Sequence, residues 1–565
     1  MKRSSAERLL TWCKTSSNQI THHPRCRFPH INNQVRQQSV WSKENIVRSP
    51  IANADIPNVS FSEYIFSRCD EFKDNTAVID FESGRNYSYT VMKGAAIKVA
   101  SALTRLGYKK GDVIAVYSAN VPEYSIIMLA ASSIGVIVTP ANPSYTPGEL
   151  AIQLEHSKAK AAFTILPLLP NLKEAINSKQ SLASSVKEIF ILGEAEGCRP
   201  VSELLKDDGT MFPDVSIDPK NDILILPYSS GTTGLPKGVM LTHHNCIANL
   251  YQVKLAVDIK QGVDRFLGIL PFYHIYGMIP VQFGAIDNGC PLITLPKFDP
   301  PVFLRALQEQ KISILHAVPP ILLFMAKHPS VSKECVQNLK YIVSGAAPLG
   351  VGLSKEFTER HELPIYQGYG LTETSPVIAI DNPPAKLGSN GPVVCNSTAK
   401  VKDVETGRSL GPGEEGEICI KGPQVMKGYL NNQQATNDMI DSDGWLHTGD
   451  IGYFCEEGNL VIEDRLKELI KYKGFQVPPA ELEAILLTHP SVQDAAVIGV
   501  QDAGTGELPK AFIVRKPNTD VQEDGILKFV EEKVAQHKRL RGGVEFIDVI
   551  PKSPSGKILR RQLRE

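Results

Sequence analysis

From about Asn45 to the C-terminus, short apolar runs that read as strands alternate with amphipathic stretches that read as helices, and this order limits the fold more than any other feature. Val91–Leu106 carries apolar residues at helical spacing, Val113–Tyr117 reads as a buried strand, and Pro122–Val138 runs from a helix into another strand. The order recurs through Leu304–Gln310 (helix), Ile312–Ala317 (strand), Pro320–Lys327 (helix) and Tyr341–Ser344 (strand). Strands that alternate with helices build α/β layers, and the Gly- and Pro-bearing loops after the strands are where such layers commonly bind ligands.

Beyond Gly391 the texture changes to short strands and tight turns, marked by Glu405-Thr406-Gly407, Gly411-Pro412-Gly413 and Asp443-Gly444, so a mostly β subdomain is expected there. After Arg465 the alternation returns in a smaller unit: Pro479 opens a helix through Leu487, Ala495–Val500 is a strand, and Asp524–Gln536 is a second helix. A chain of 565 residues exceeds what one hydrophobic core usually supports, so two or more domains are expected.

Several function classes fall away on composition. Sixty Lys and Arg against 61 Asp and Glu leave a formal net charge of −1, which provides no global field for nucleic acid or an anionic membrane. The longest apolar run, Ile126–Val138, is broken by Ser132, Ser133 and Gly135 and is shorter than the roughly 18 residues a membrane span needs, so no transmembrane helix is expected. The ten cysteines, scattered from Cys13 to Cys455 with no C-x-x-C pair and no zinc-ligand spacing, read as reduced thiols of an intracellular protein. Residues 1–43 stand apart: Glu7 is their only acid, against Lys2, Arg3, Arg8, Lys14, Arg25, Arg27, Arg36 and Lys43. With Leu9, Leu10 and Trp12 sharing part of a helical face, this segment fits a mitochondrial transit peptide as well as it fits a disordered basic tail on a cytoplasmic protein. The final residues, Gln562 to Glu565, are not a peroxisomal S-K-L address.

The first chemical signal follows the strand-like run Asp222–Leu226. Ser229, Ser230, Gly231, Thr232, Thr233 and Gly234 lead into Pro236-Lys237-Gly238, a run whose small residues let backbone N–H groups approach an anion while Lys237 adds a point charge. The six small residues alone read better as a hairpin tip, with Val239-Met240-Leu241 as the return strand and Thr242 as the N-cap of a following helix, but Pro236-Lys237-Gly238 in register favours a phosphate loop. A Walker loop does not fit, because Lys237 is followed by Gly238 and not by Ser or Thr.

SSGTTGLPKG resembles the nucleotide motif of the adenylate-forming superfamily of acyl-CoA synthetases, luciferases and peptide-synthetase adenylation domains, and within it the chain is most similar to the 4-coumarate:CoA ligase branch. Thr139-Pro140-Ala141-Asn142-Pro143 and the motifs named below occur in the superfamily's order. The resemblance implies a large N-terminal domain (44–463) of two α/β subdomains plus a distorted β-barrel subdomain, a hinge at 464–467, and a small mobile α+β C-terminal domain (468–565). It also implies an acid:CoA ligase that makes an acyl-adenylate from acid and ATP, then an acyl-CoA and AMP, using ATP, Mg²⁺ and coenzyme A.

The resemblance assigns candidate roles residue by residue. Ser229 to Gly234 and Lys237 match the phosphate loop; Gln367, Gly368, Tyr369 and Thr372 match positions framing adenine and phosphate, and Glu373 matches the Mg²⁺ carboxylate. Asp450 and Arg465 match the positions that hold the ribose and nucleotide, together with Lys467, the hinge residue, and Lys471. His274 matches a residue beside the acyl carboxylate, and Lys557 the lysine that reaches that carboxylate during adenylation. Lys473 and Gly474 match the pantetheine tunnel of the second step, and Gln476 and Lys297 also fall at CoA-contacting positions. Ile275, Tyr276, Met278, Gly345, Ala346, Gly368, Pro376, Val377 and Ile380 match the acyl pocket, for which a cinnamate-like acid and a medium or long fatty acid both remain open. A luciferase-type monooxygenase and a non-catalytic adenylate-binding module share the fold. No carrier domain follows Lys557, which favours a CoA acceptor over a peptide-synthetase partner.

Overall fold

The strand Val113–Tyr117 is buried at every position, as its β-branched, apolar sequence requires. It lies in parallel register between Ile137–Ala141 and Ala159–Ile165. The computed structural model describes residues 40–229, 236–466, 468–473, 475–502, 505–553 and 556–564. The basic segment up to residue 39 therefore lies outside the described residues, and so do Ser230 to Gly234, Lys467 and Gly474.

Val113–Tyr117 belongs to a nine-stranded sheet whose parallel run includes Ile223–Ile225, Glu188–Leu192 and Arg199–Pro200. At one edge of this sheet the chain turns back on itself: Tyr228 pairs with Gly238 and Ser229 with Lys237, antiparallel. The arms expected of a hairpin are therefore present on either side of the Ser/Gly/Thr run. The return strand Lys237–Thr242 leads into the helix His243–Ala256, where Thr242 and Asn245 form a reciprocal capping box.

An eight-stranded sheet holds the parallel strands Thr76–Asp80, Phe266–Gly268, Leu292–Thr294, Ile314–Ala317, Tyr341–Ser344 and Ile365–Gly370, with Val377–Ile380 and Asn86–Ser88 antiparallel at its ends. The helix Glu123–Ser133 is apolar all round and buried along its whole length, and one continuous core joins residues of both sheets. The texture change after Gly391 corresponds to a six-stranded antiparallel sheet of Val47–Arg48, Thr398–Lys402, Ser409–Leu410, Gly416–Lys421, Leu446–Phe454 and Leu460–Arg465.

Beyond it, a five-stranded sheet built on Val492–Asp502 and Gly506–Arg515 carries the helices Pro479–Leu486 and Glu523–Glu531 and has its own core. The second of these helices stops earlier than the expected Gln536. Lys533 N–H bonds the Val530 carbonyl in a tight turn that returns Val534 to the core, and Gln536–Lys538 forms a separate 3₁₀ turn. Among the described residues, no helix is long and apolar enough to cross a membrane.

Because Thr242 Oγ1 accepts the Asn245 N–H at 3.1 Å, Thr242→Ala should cost about 1 kcal/mol in urea unfolding with an unchanged denaturant slope. No loss would show that the cap contributes nothing to the helix behind the hairpin.

Candidate active site

Parallel neighbours bring their C-terminal ends to one edge, so three loops meet there: the run to His274 after Phe266–Gly268, Gly345 after Tyr341–Ser344, and Gly368–Gly370 at the end of its own strand. Gly370 is needed at its position, since a Cβ would lie 2.0 Å from the Pro376 carbonyl oxygen. The turn that follows is held from behind by a buried amide pair: Asn249 donates to the Val377 carbonyl and accepts the Val377 N–H.

Glu373 begins its first turn there and is only 7% exposed. Its Oε1 accepts hydrogen bonds from Ser229 Oγ at 3.0 Å and from Tyr429 OH at 2.8 Å. The carboxylate is thereby tied to the hairpin that carries the Ser/Gly/Thr run, and lone pairs on its other oxygen suit a hard cation such as Mg²⁺. Lys237, on the return arm, stands over the Tyr429 ring with its amine 4.9 Å from the centroid. Tyr429 was not among the expected site residues. It reaches the hairpin because it pairs with Val239 across the sheet edge.

Asp450 and Arg465 are cross-strand partners in the six-stranded sheet. Asp450 is 4% exposed; its Oδ2 accepts the Tyr369 hydroxyl at 2.5 Å, and its Oδ1 lies 3.4 Å from Arg465 Nε. Burial raises the Asp450 pKa, while Arg465, the Tyr369 hydroxyl and Lys557 oppose that rise. The carboxylate retains lone pairs for two further donors, which is the capacity a vicinal diol requires.

Lys557 reaches this cluster from near the C-terminus. Its carbonyl accepts the Ser553 N–H at 2.8 Å, closing a tight turn whose Gly556 lies against Pro320 of the large domain, where a Cβ would meet Pro320 Cδ at 3.1 Å. Burial, and then the charge of Arg465, bring the Lys557 amine down to about 8. The same amine and, chiefly, burial bring His274 down to about 4. His274 is therefore neutral, and because Tyr276 N–H donates to its Nδ1 at 3.2 Å, its own proton sits on Nε2.

Tyr276 packs against Gly345, at which a Cβ would lie 3.3 Å from the phenol ring, and donates its hydroxyl to the Val343 carbonyl at 3.1 Å. His316, missed from sequence, braces the ring from the other side: its Nδ1 lies 3.3 Å from Tyr276 OH, and its imidazole stacks on Phe266 with centroids 6.0 Å apart. Gly368 pairs with Ile380 beside them, and Ala346 takes a left-handed φ of 70°. Ile275 and Met278, at 1% and 0% exposure, are packed into the large-domain core.

Lys473 does not join this cluster: its N–H bonds the Thr505 carbonyl at 2.8 Å, and its amine stands over Tyr472, both within the small domain. Lys471 is exposed on the same hairpin, whose Gln476 has no described side chain, and Lys297 is exposed on the loop after Leu292–Thr294.

Behind Asp450 lies an interaction that sequence reading missed. Glu417 accepts from Gly449 N–H at 3.1 Å and pairs with His447 Nδ1 at 2.7 Å, while His447 Nε2 lies 3.4 Å from Asp441 Oδ2. With Cys419 this is the one group of three metal-capable side chains among the described residues. Its carboxylate and imidazole touch directly, in the manner of an ion pair. The pair holds the strand at Gly449, where the register with the neighbouring strand is irregular, and Cys419 and Glu417 raise the His447 pKa to about 10.

Comparison with known proteins matches residues 65–430 to the AMP-binding enzyme family model and 481–557 to the AMP-binding enzyme C-terminal domain. The chain is 41% identical over 541 residues to a 4-coumarate–CoA ligase 3 of Oryza sativa subsp. japonica, covering 93% of this chain and 96% of that protein. ATP-bound MatB from Rhodopseudomonas palustris superposes with a TM-score of 0.81 at 28% identity, over 90% of this chain and 98% of that one. The o-succinylbenzoate CoA synthetase (MenE) of Bacillus subtilis, in complex with its acyl-adenylate intermediate, superposes with a TM-score of 0.76 at 27% identity, over 90% and 99%.

A raised His447 pKa contributes stability that is complete below the ordinary value of 6.5 and is lost as pH rises through about 10. Glu417→Gln should therefore cost about 2 kcal/mol at pH 6 and progressively less toward pH 10, read by urea unfolding of both proteins across that range. A cost that does not change with pH would contradict an ion pair here.

Proposed function

The chain belongs to the AMP-binding enzyme family and is an AMP-forming acid:CoA ligase, and from that premise we propose that its acid is cinnamate-like and that Lys557, His274, Asp450, Arg465 and Lys237 serve its first step. In that step an acid carboxylate oxygen attacks the α-phosphorus of ATP and pyrophosphate leaves. In the second, the CoA thiol attacks the acyl carbonyl and AMP leaves.

The observation that carries the reading is the convergence of Lys557 with Asp450, Arg465 and His274, drawn from distant parts of the chain into one partly buried cluster. A carboxylate is a poor nucleophile toward an anionic phosphate, so the site must hold both groups in line and neutralise the charge between them. The Lys557 ammonium approaches the carboxylate, and the Nε2 proton of His274 offers it a hydrogen bond. Asp450 accepts the ribose hydroxyls, with Arg465 holding the carboxylate in its charged form. Lys237 and the hairpin N–H groups take the outer phosphates. Glu373, oriented by Ser229 and Tyr429, would hold Mg²⁺, which when bound neutralises phosphate charge.

The acyl side supports a flat acid. Tyr276, anchored at its hydroxyl and braced by His316, forms a fixed wall, and the backbone of Gly345 lies against its ring with no side chain between. Lys473, whose contacts lie in the small domain, supports the reading that thioester formation uses a second placement of residues 468–565 about a hinge at 464–467, with Lys473, Gly474, Gln476 and Lys297 on the CoA side.

Lys557→Ala should slow acid-dependent ATP–pyrophosphate exchange by about 10²–10³-fold, roughly 3–4 kcal/mol; unchanged exchange would remove Lys557 from the first step. Because burial brings the amine to about 8, it loses its charge as pH rises through that value. The kcat/KM of exchange should fall on that limb, and Lys557→Arg should move the fall to higher pH. An alkaline limb identical in Lys557→Arg would assign it to another group.

A further inference from the structure

We propose that Arg560 and Glu483 are positioning residues that aim Lys557 into the adenylating site, serving the first step and not the second. The proposal rests on the reading of Lys557 given above. Only Ile558 and Leu559 separate Arg560 from Lys557. Arg560 Nη2 donates to Glu483 Oε1 at 2.7 Å, and its Nε donates to the Val497 carbonyl at 3.2 Å. Glu483 Oε1 in turn accepts the Val497 N–H at 2.8 Å, so the pair clamps the tail to the helix Pro479–Leu486 and to the middle of the strand Val492–Asp502.

The segment between clamp and amine is stiff. Ile558 forms a bridge with Lys552, Leu559 N–H bonds the Pro551 carbonyl at 2.8 Å, and Ser553 N–H bonds the Lys557 carbonyl. Lys557 therefore sits on a short hairpin with its base gripped by Arg560 and its Gly556 turn resting on Pro320. A shift at the base is transmitted to the amine, because no loose residue lies between them.

The same guanidinium also faces the large domain. Asp464, on that domain's last strand, feels the Arg560 charge, and its Oδ2 accepts the Ala480 N–H at 2.9 Å, at the start of the helix that bears Glu483. Arg560 thus lies among carboxylates from both sides of the hinge, and this arrangement belongs to the placement in which Lys557 reaches Asp450. Side-chain exposures of 12% and 11% make the Arg560–Glu483 pair costly to desolvate. Such a pair is a weak source of stability compared with apolar packing, and fixing a register is the best attested use of one.

Arg560→Gln and Glu483→Gln are each measured in two assays: acid-dependent ATP–pyrophosphate exchange, and CoA thioester formation from supplied acyl-adenylate. Each should lower exchange by roughly 10²-fold while leaving the second assay at the wild-type rate. Either substitution added to Lys557→Ala should produce no loss beyond that of Lys557→Ala alone. Equal losses in the two assays, additive losses in the double variants, or full exchange in both single variants would overturn the proposal. Intact exchange in Lys557→Ala itself would instead defeat the premise, and the proposal with it. If Arg560→Gln fails to fold, the near-isosteric Glu483→Gln tests the same clamp from its other side.

Discussion

The site is organised around one buried carboxylate, that of Asp450, held between the Tyr369 hydroxyl and the Arg465 guanidinium with the Lys557 amine nearby. Each partner comes from a different layer: Tyr369 from the end of a parallel strand, Arg465 from the antiparallel sheet, and Lys557 from the small domain. A charge this deeply buried is tolerable only while it is paired, so Tyr369 and Arg465 lock the end of the parallel strand to the antiparallel sheet whether or not Lys557 is at hand. The Glu417–His447 pair stiffens the strand that carries Asp450, and the capping box of Thr242 and Asn245 stiffens the helix behind the Tyr228–Gly238 hairpin.

Much of this was legible in the sequence where local chemistry decides the outcome. Val113–Tyr117 and Tyr341–Ser344 form strands at the expected bounds because a short, β-branched, fully buried run has no competing use. The return strand through Leu241 and the cap at Thr242 were legible because apolar run and capping hydroxyl both act locally. Arrangements made by distant partners were not. Tyr429 lies 56 residues from the carboxylate it orients, and nothing in its local sequence marks it. His316 reads locally as one more buried strand residue, and Glu417 and His447 lie 30 positions apart on different strands, with the helix Gln433–Met439 between them. The overlong helix expected to reach Gln536 reflects the weak local signal at helix ends, where Val534 found the core by turning.

Tyr276 and Lys557 are held by different parts of the fold. Tyr276, outside the strands, is fixed to the eight-stranded sheet through the Val343 carbonyl and His316, with no contact to the small domain among those that hold it. Lys557, by contrast, is carried by the C-terminal segment, where its carbonyl accepts the Ser553 N–H.

The most direct test of this account is to supply acid, ATP and Mg²⁺ in the complete absence of CoA and follow pyrophosphate label into ATP. The placement of Lys557 beside Asp450 and His274 predicts exchange that requires the acid and does not require CoA, with AMP and acyl-CoA released together once CoA is added. Exchange that appears only with CoA present, or release of ADP in place of AMP, would contradict it.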